Sequence, residues 1–195
     1  MICGAIFDAD GTLLDTRSVW EGAGGRYLIG RGIRPEPSLD ERLASMTLEE
    51  GSVYLKERYA LPETPEALKQ DFLNTISSVY RNEVRLLPGA ERVLQMLQRE
   101  GIPMAIATAG DRGLLECALD RLGILHAFRG ILTCSDLHTS KRETMIYLAA
   151  ASLLGTVPAE TAVFEDDLMA LRTAASAGFQ VFRAPESYRQ FILHE

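Results

Sequence analysis

The chain lacks any uninterrupted apolar stretch near the roughly eighteen residues that span a bilayer, and its first residues lack the basic-then-apolar pattern of a secretory signal. Both absences predict a protein that neither crosses a membrane nor is exported by that route. Cysteine is scarce: Cys3, Cys117 and Cys134 form an odd set without CxxC spacing, two of them in apolar stretches. That excludes a disulfide framework and points to a reducing cytoplasm. Basic runs are missing and the net charge is −7, so non-specific attraction to nucleic-acid phosphates is excluded. No internal repeat at solenoid periods and no low-complexity tract interrupts the chain. The expectation is a monomer or weak dimer acting on a small molecule.

With 195 residues, 47% of them hydrophobic, the chain is long enough for one substantial core and a smaller appended domain. From residue 87 onward, short β-rich runs alternate with helical patterns, the signature of a doubly wound parallel α/β sheet. The runs are Met104 to Thr108, Gly130 to Thr133, Ala162 to Glu165 and Gln180 to Phe182. Helical stretches between and before them finish at Gly101, Gly123, Gly155 and Gly178, as left-handed cap positions require. Residues 16–86 show helical periodicity broken by Pro35, Pro37, Pro62 and Pro65 and no convincing strand. The division expected is an α/β core of residues 1–15 and 87–195 with a helical cap domain, 16–86, inserted after the first strand.

In such a sheet, ligands bind beyond the carboxyl ends of the strands. The opening strand ends in Asp8 and Asp10, which alternation points the same way, crowding two negative charges where the sheet stops. The next strand delivers the hydroxyl of Thr108, then Ala109-Gly110, a small turn suited to presenting N–H groups to an anion. Ser140 reads as the cap of a helix whose first turn carries Lys141 and Arg142. The fourth strand ends in Glu165-Asp166-Asp167. Several carboxylates, a hydroxyl and a cation at one sheet edge suit a phosphate held beside a divalent metal.

The run Asp8-Ala9-Asp10-Gly11-Thr12-Leu13-Leu14-Asp15, followed in order by Thr108, Lys141 and Glu165-Asp166, resembles the haloacid dehalogenase superfamily in its phosphatase and β-phosphoglucomutase-like branch. The resemblance implies a Rossmann-like core with a helical cap, and a Mg²⁺-dependent phosphatase acting on a sugar or polyol phosphate through an aspartyl-phosphate. It further implies Asp8 as nucleophile and metal ligand, Asp10 as general acid and base with its carbonyl on the metal, and Asp166 as the second metal carboxylate. Glu165 would neighbour the metal, and Thr108, the Ala109 turn and Lys141 would clamp the phosphate. Ala109 stands where the family commonly has Asn, and Asp167 where Ser is frequent.

Two alternatives stay open: a β-phosphoglucomutase-like phosphomutase, and a weak or inactive binding protein on the same fold. Trp20, Asp167 and Arg112 are further candidates near substrate or behind the first ligands, each with a bland competing role in packing, helix capping or the helix surface. Gly22-Ala23-Gly24-Gly25 fails the spacing of a nucleotide loop and reads as helix packing. His126, His138 and His194 show no ligand spacing.

Overall fold

The computed structural model describes residues 1–43 and 46–193. Five strands, β1 (Gly4–Phe7), β2 (Met104–Thr108), β3 (Phe128–Thr133), β4 (Thr161–Glu165) and β5 (Gln180–Arg183), pair in parallel in the order β3-β2-β1-β4-β5. After β1 comes a run of five helices, α1 (Arg17–Trp20), α2 (Ala23–Gly30), α3 (Leu39–Leu43), α4 (Leu48–Tyr59) and α5 (Pro65–Asn82). Helices α6 (Ala90–Arg99), α7 (Arg112–Arg121), α8 (Met145–Leu154), α9 (Leu168–Ser176) and α10 (Tyr188–Leu193) alternate with or follow the later strands. This is an α/β fold, a doubly wound sheet carrying an α-helical cap.

Strand alternation sorts the core onto two faces. Ala5, Phe7, Ile106 and Phe164 pack with residues of α6, α7 and α10, while Ile6, Ala105, Ala107 and Val163 pack with α8 and α9. Phe7 and Phe164 are register partners, and their rings stack at 4.6 Å. Gly101, Gly123, Gly155 and Gly178 all carry φ between 69° and 88°. Strand β3 starts at Phe128, two residues earlier than periodicity suggests, because Arg129 and Gly130 obscure its apolar signal. The chain steps outward from β1 to β2 and β3, then crosses to the other side of β1 for β4 and β5. The ends of β1 and β4 therefore flank a topological switch point.

The helical cap has its own apolar cluster, Tyr27, Leu28, Leu39, Leu55, Leu61 and Leu68. Its breaks follow the prolines: Pro35 and Pro37 separate α2 from α3, Pro62 separates α4 from α5, and Pro65 opens α5 behind the Thr64 cap. The GAGG stretch leads into α2, and Gly24 lets α3 approach closely; a Cβ there would lie 2.3 Å from Leu43 Cδ1. Helix α5 spans both cores, since Leu73, Ile76 and Tyr80 join the sheet cluster while Leu68 serves the cap cluster. Entry and exit segments run side by side: Asp15 N–H donates to Arg85 C=O at 2.8 Å and Leu87 N–H to Leu13 C=O at 2.8 Å. Among the described residues, no helix is long and apolar enough to cross a membrane.

Candidate active site

Strand β1 stops at Phe7, and Asp8 still donates its N–H to Phe164 C=O at 2.9 Å, so its backbone is held by β4. Beyond it the chain turns sharply, with the N–H groups of Leu13 and Leu14 both donating to Ala9 C=O at 2.9 Å. Gly11 makes the turn at φ 80°, and a Cβ there would sit 2.5 Å from Asp166 Oδ2. Gly11→Ala is therefore expected to combine left-handed strain of about 1–2 kcal/mol with displacement of Asp166. A lowered melting temperature together with at least about a tenfold fall in activity would register both effects.

Asp8, Glu165 and Asp166 come together, with carboxylate oxygens within 4.8 Å of one another. Asp8 is 5% exposed and Glu165 is 1% exposed. Lys141 lies between two of them, its Nζ donating to Asp8 Oδ1 and, at 2.6 Å, to Glu165 Oε2. Burial works against the ammonium charge, but Asp8 and Glu165 outweigh it and hold the Lys141 pKa well above its ordinary value. Glu165 is pushed up by burial and by Asp8, with Lys141 pulling it back. Asp166 is likewise raised by burial and by Asp8. Glu165 Oε1 accepts the N–H groups of Asp166 and Asp167 at 3.2 Å each, which ties the side chain to its own turn.

Asp10 has a partner of its own in the helices after β1. Its carboxylate is not part of the three-carboxylate group, although the Asp8 charge still reaches it, and it accepts the Tyr80 hydroxyl at Oδ1. Tyr80 in turn accepts Trp20 Nε1–H at 2.7 Å. Burial raises the Asp10 carboxyl to about 6; Tyr80 pulls it down and the Asp8 charge pushes it up. Sequence reasoning missed Tyr80, and also Tyr147, whose hydroxyl lies 3.5 Å from Glu165 Oε2. The available signal was a tyrosine on the apolar stripe Leu73, Ile76, Tyr80, because a buried phenol needs a polar partner.

Thr108, 1% exposed, ends β2, and its Oγ1 accepts the Gly110 N–H at 2.9 Å. One amide of the expected anion-binding turn is thus already engaged. Gly110 also lies against Asp10: a Cβ there would be 2.7 Å from its Oδ2. Ala109, Gly110 and Arg112 line a cleft of about 110 Å³ with Lys69 and Leu48 of the cap. Across the same boundary Ser135 Oγ donates to Glu49 Oε2 at 3.0 Å. Arg112 opens α7 and pairs with Asp136 at 2.6 Å and Glu116 at 3.3 Å, so its charge is already matched.

Ser140 does not cap a helix. Lys141 sits in a turn and α8 begins only at Met145, because Ser140 Oγ takes the N–H of Arg142 at 3.3 Å and closes a local turn. Asp167 is exposed and is the N-cap of α9, accepting Ala170 N–H at 2.8 Å, which turns its carboxylate to the helix end. His126 and His138 are exposed, and His194 lies outside the described residues.

The donor chemistry fits a hard divalent cation. Three carboxylates, two of them almost wholly buried, face a single ammonium, leaving an excess of negative charge among oxygen ligands. Oxygen-only sites favour Mg²⁺, Ca²⁺ or Mn²⁺ over softer metals.

The profile of a family described as haloacid dehalogenase-like hydrolase matches residues 3–178. Hexitol phosphatase A of Escherichia coli (strain K12) is 31% identical over 91% of this chain and 81% of its own length. The bifunctional riboflavin kinase/FMN phosphatase of Arabidopsis thaliana is 26% identical over 97% of this chain, which spans only 50% of that larger protein. In fold, the chain is similar to the CbbY protein of Rhodobacter sphaeroides, solved with phosphate. That likeness has a TM-score of 0.83 and 23% identity, covering 96% of this chain and 88% of the other. Hydrolases of this family generally use Mg²⁺, in keeping with the acidic group at the end of β1. With the match running through nearly every strand and through the carboxylates that end β1 and β4, the chain belongs to the haloacid dehalogenase-like hydrolases.

Proposed function

We propose that the chain is a Mg²⁺-dependent phosphatase that removes the phosphoryl group of a small sugar or polyol phosphate by way of Asp8, in the cytoplasm. Hydrolysis of phosphoric monoesters follows from the family and from relatives that are phosphatases over most of this chain. The observation that carries the reading is the buried group of Asp8, Glu165 and Asp166 with Lys141 between two of its members. Asp8, Asp166, Glu165 and the Asp10 carbonyl would hold the metal. When bound, Mg²⁺ would neutralise charge between Asp8 and the phosphoryl oxygens.

The remaining steps belong to the protein's own residues. An Asp8 oxygen donates an electron pair to phosphorus while the bond from phosphorus to the ester oxygen breaks and leaves its pair on that oxygen. Asp10 gives that oxygen its proton, and later takes one from the water that attacks the phosphorus of the acyl phosphate, as the bond from phosphorus to the Asp8 oxygen breaks and returns its pair to Asp8 as carboxylate. Lys141 and the Thr108 hydroxyl hold phosphoryl oxygens, with the Ala109 turn alongside. A cap of residues 16–86 covers the site, and the cleft of about 110 Å³ beside Gly110, polar and small, suits a short polyhydroxylated chain.

A panel of sugar and polyol phosphates, with p-nitrophenyl phosphate as a generic ester, is expected to show phosphate release that stops on chelation and returns with Mg²⁺. Folded protein that releases nothing from the whole panel would replace the phosphatase by a binding protein. Isomerisation of a hexose phosphate without net release would replace it by a mutase.

A further inference from the structure

Asp10 is contacted from the cap through two aromatic residues that neither the motif nor the metal group calls for. Trp20 Nε1–H donates to the Tyr80 hydroxyl at 2.7 Å, and the Tyr80 hydroxyl donates to Asp10 Oδ1. The direction of this chain of bonds is fixed by chemistry. An indole N–H is a donor only, so the Tyr80 oxygen accepts from it and its own proton goes to the carboxylate. Tyr80 is fully buried, and its ring meets Trp20 edge-on at 6.4 Å. Its carbonyl accepts Arg121 Nη2–H from α7 at 3.2 Å, so helix α5 is pinned to the core at this same residue.

The two oxygens of Asp10 are thereby made unequal. Oδ1 is occupied as an acceptor by Tyr80, while Oδ2 faces the turn after β2, beside Gly110. The Thr108 hydroxyl borders the same spot, since a Cβ on Gly110 would lie 3.2 Å from Thr108 Oγ1.

We infer that Tyr80, oriented by Trp20, is a positioning residue of the cap that engages Asp10 Oδ1 and so presents Oδ2 to the phosphate ester as the oxygen that delivers the proton. This inference rests on Asp10 being the general acid. In the step concerned, the Asp10 O–H bond breaks, its proton joins the ester oxygen as that oxygen leaves phosphorus, and Asp10 is left as carboxylate. Without Tyr80 only the weaker hold of Thr16 and Trp20 remains on the carboxyl, and Oδ2 is aimed at the ester only part of the time. An alkoxide leaving group needs that proton; p-nitrophenolate does not.

The test compares kcat/KM, which reports steps through phosphoenzyme formation, for two substrates. One is the sugar or polyol phosphate best hydrolysed in the panel, and the other is p-nitrophenyl phosphate. Tyr80→Phe removes only the hydroxyl, and is expected to lower kcat/KM for the alkyl ester about 10- to 100-fold and for the aryl ester less than about threefold. Trp20→Phe, which keeps a ring but loses the N–H, should show the same selectivity at about three- to tenfold; it replaces Tyr80→Phe if that protein fails to fold. Equal losses on both esters would reduce the pair to a structural role and overturn the inference, as would an unchanged alkyl rate. Asp10→Asn separates this failure from failure of the underlying reading. If it spares the alkyl ester, Asp10 is not the acid; if it shows the leaving-group selectivity and Tyr80→Phe does not, the inference alone falls.

Discussion

Asp8→Asn is expected to abolish phosphate release from every ester, by at least about 10⁴-fold, while leaving the fold intact. The substitution hardly changes side-chain volume, and the backbone bond from residue 8 to Phe164 C=O does not depend on the side chain. In the proposed mechanism the chemistry does depend on it. An amide is neutral and poorly nucleophilic, and its NH₂, if turned to Lys141, would set donor against donor where Asp8 now accepts from the ammonium. Both ester classes must fail alike, because without the nucleophile neither can form the phosphoenzyme. Residual turnover above about 1% in a variant with wild-type melting behaviour would remove Asp8 from the role of nucleophile.

Lys141→Met is expected to produce the largest loss of stability. The ammonium is 16% exposed and is the cation placed directly on Asp8 and Glu165, which are 5% and 1% exposed. Taking one member from a buried ionic group leaves its partners desolvated and uncompensated, at a cost of about 3–5 kcal/mol. The hydrophobic methionine stem keeps most of the packing, so charge rather than volume is tested. Urea unfolding in the presence of a chelator should show the loss. Mg²⁺ should restore more stability to the variant than it adds to the wild type, because it meets a larger uncompensated charge. Activity should fall about 100-fold with the lost phosphate contact. A loss below about 1 kcal/mol under chelation would mean that the carboxylates are compensated by something other than Lys141.

Some of the site is legible along the chain because its residues follow strands, and strands announce themselves. Asp8, Thr108 and Glu165 each stand at or just past the end of a short buried run, where the parallel sheet must open toward ligand. Legibility fails where a residue's role depends on a partner remote in sequence. Tyr80 is 70 positions from Asp10, and Tyr147 is 18 from Glu165; both look like ordinary core aromatics until the partner is known. Local competition explains the other differences. Asp167 is drawn to the free N–H groups of α9, and Ser140 to a turn, because short polar side chains bond to whichever backbone amide is nearest.

Local pattern along the chain was enough to assign the layers of this protein: which runs are strands, where the prolines divide the helices of the cap, and which carboxylates reach the edge of the sheet. These are consequences of local sterics and periodic hydrophobicity. Packing in three dimensions sets how those carboxylates are shared out, with Asp8 held by Lys141 beside Glu165 and Asp166, and Asp10 bonded to a tyrosine of the cap. The physical reason is that a buried charge takes its state from whatever donors and cations packing brings within a few ångströms, and neighbours in space need not be neighbours in the chain.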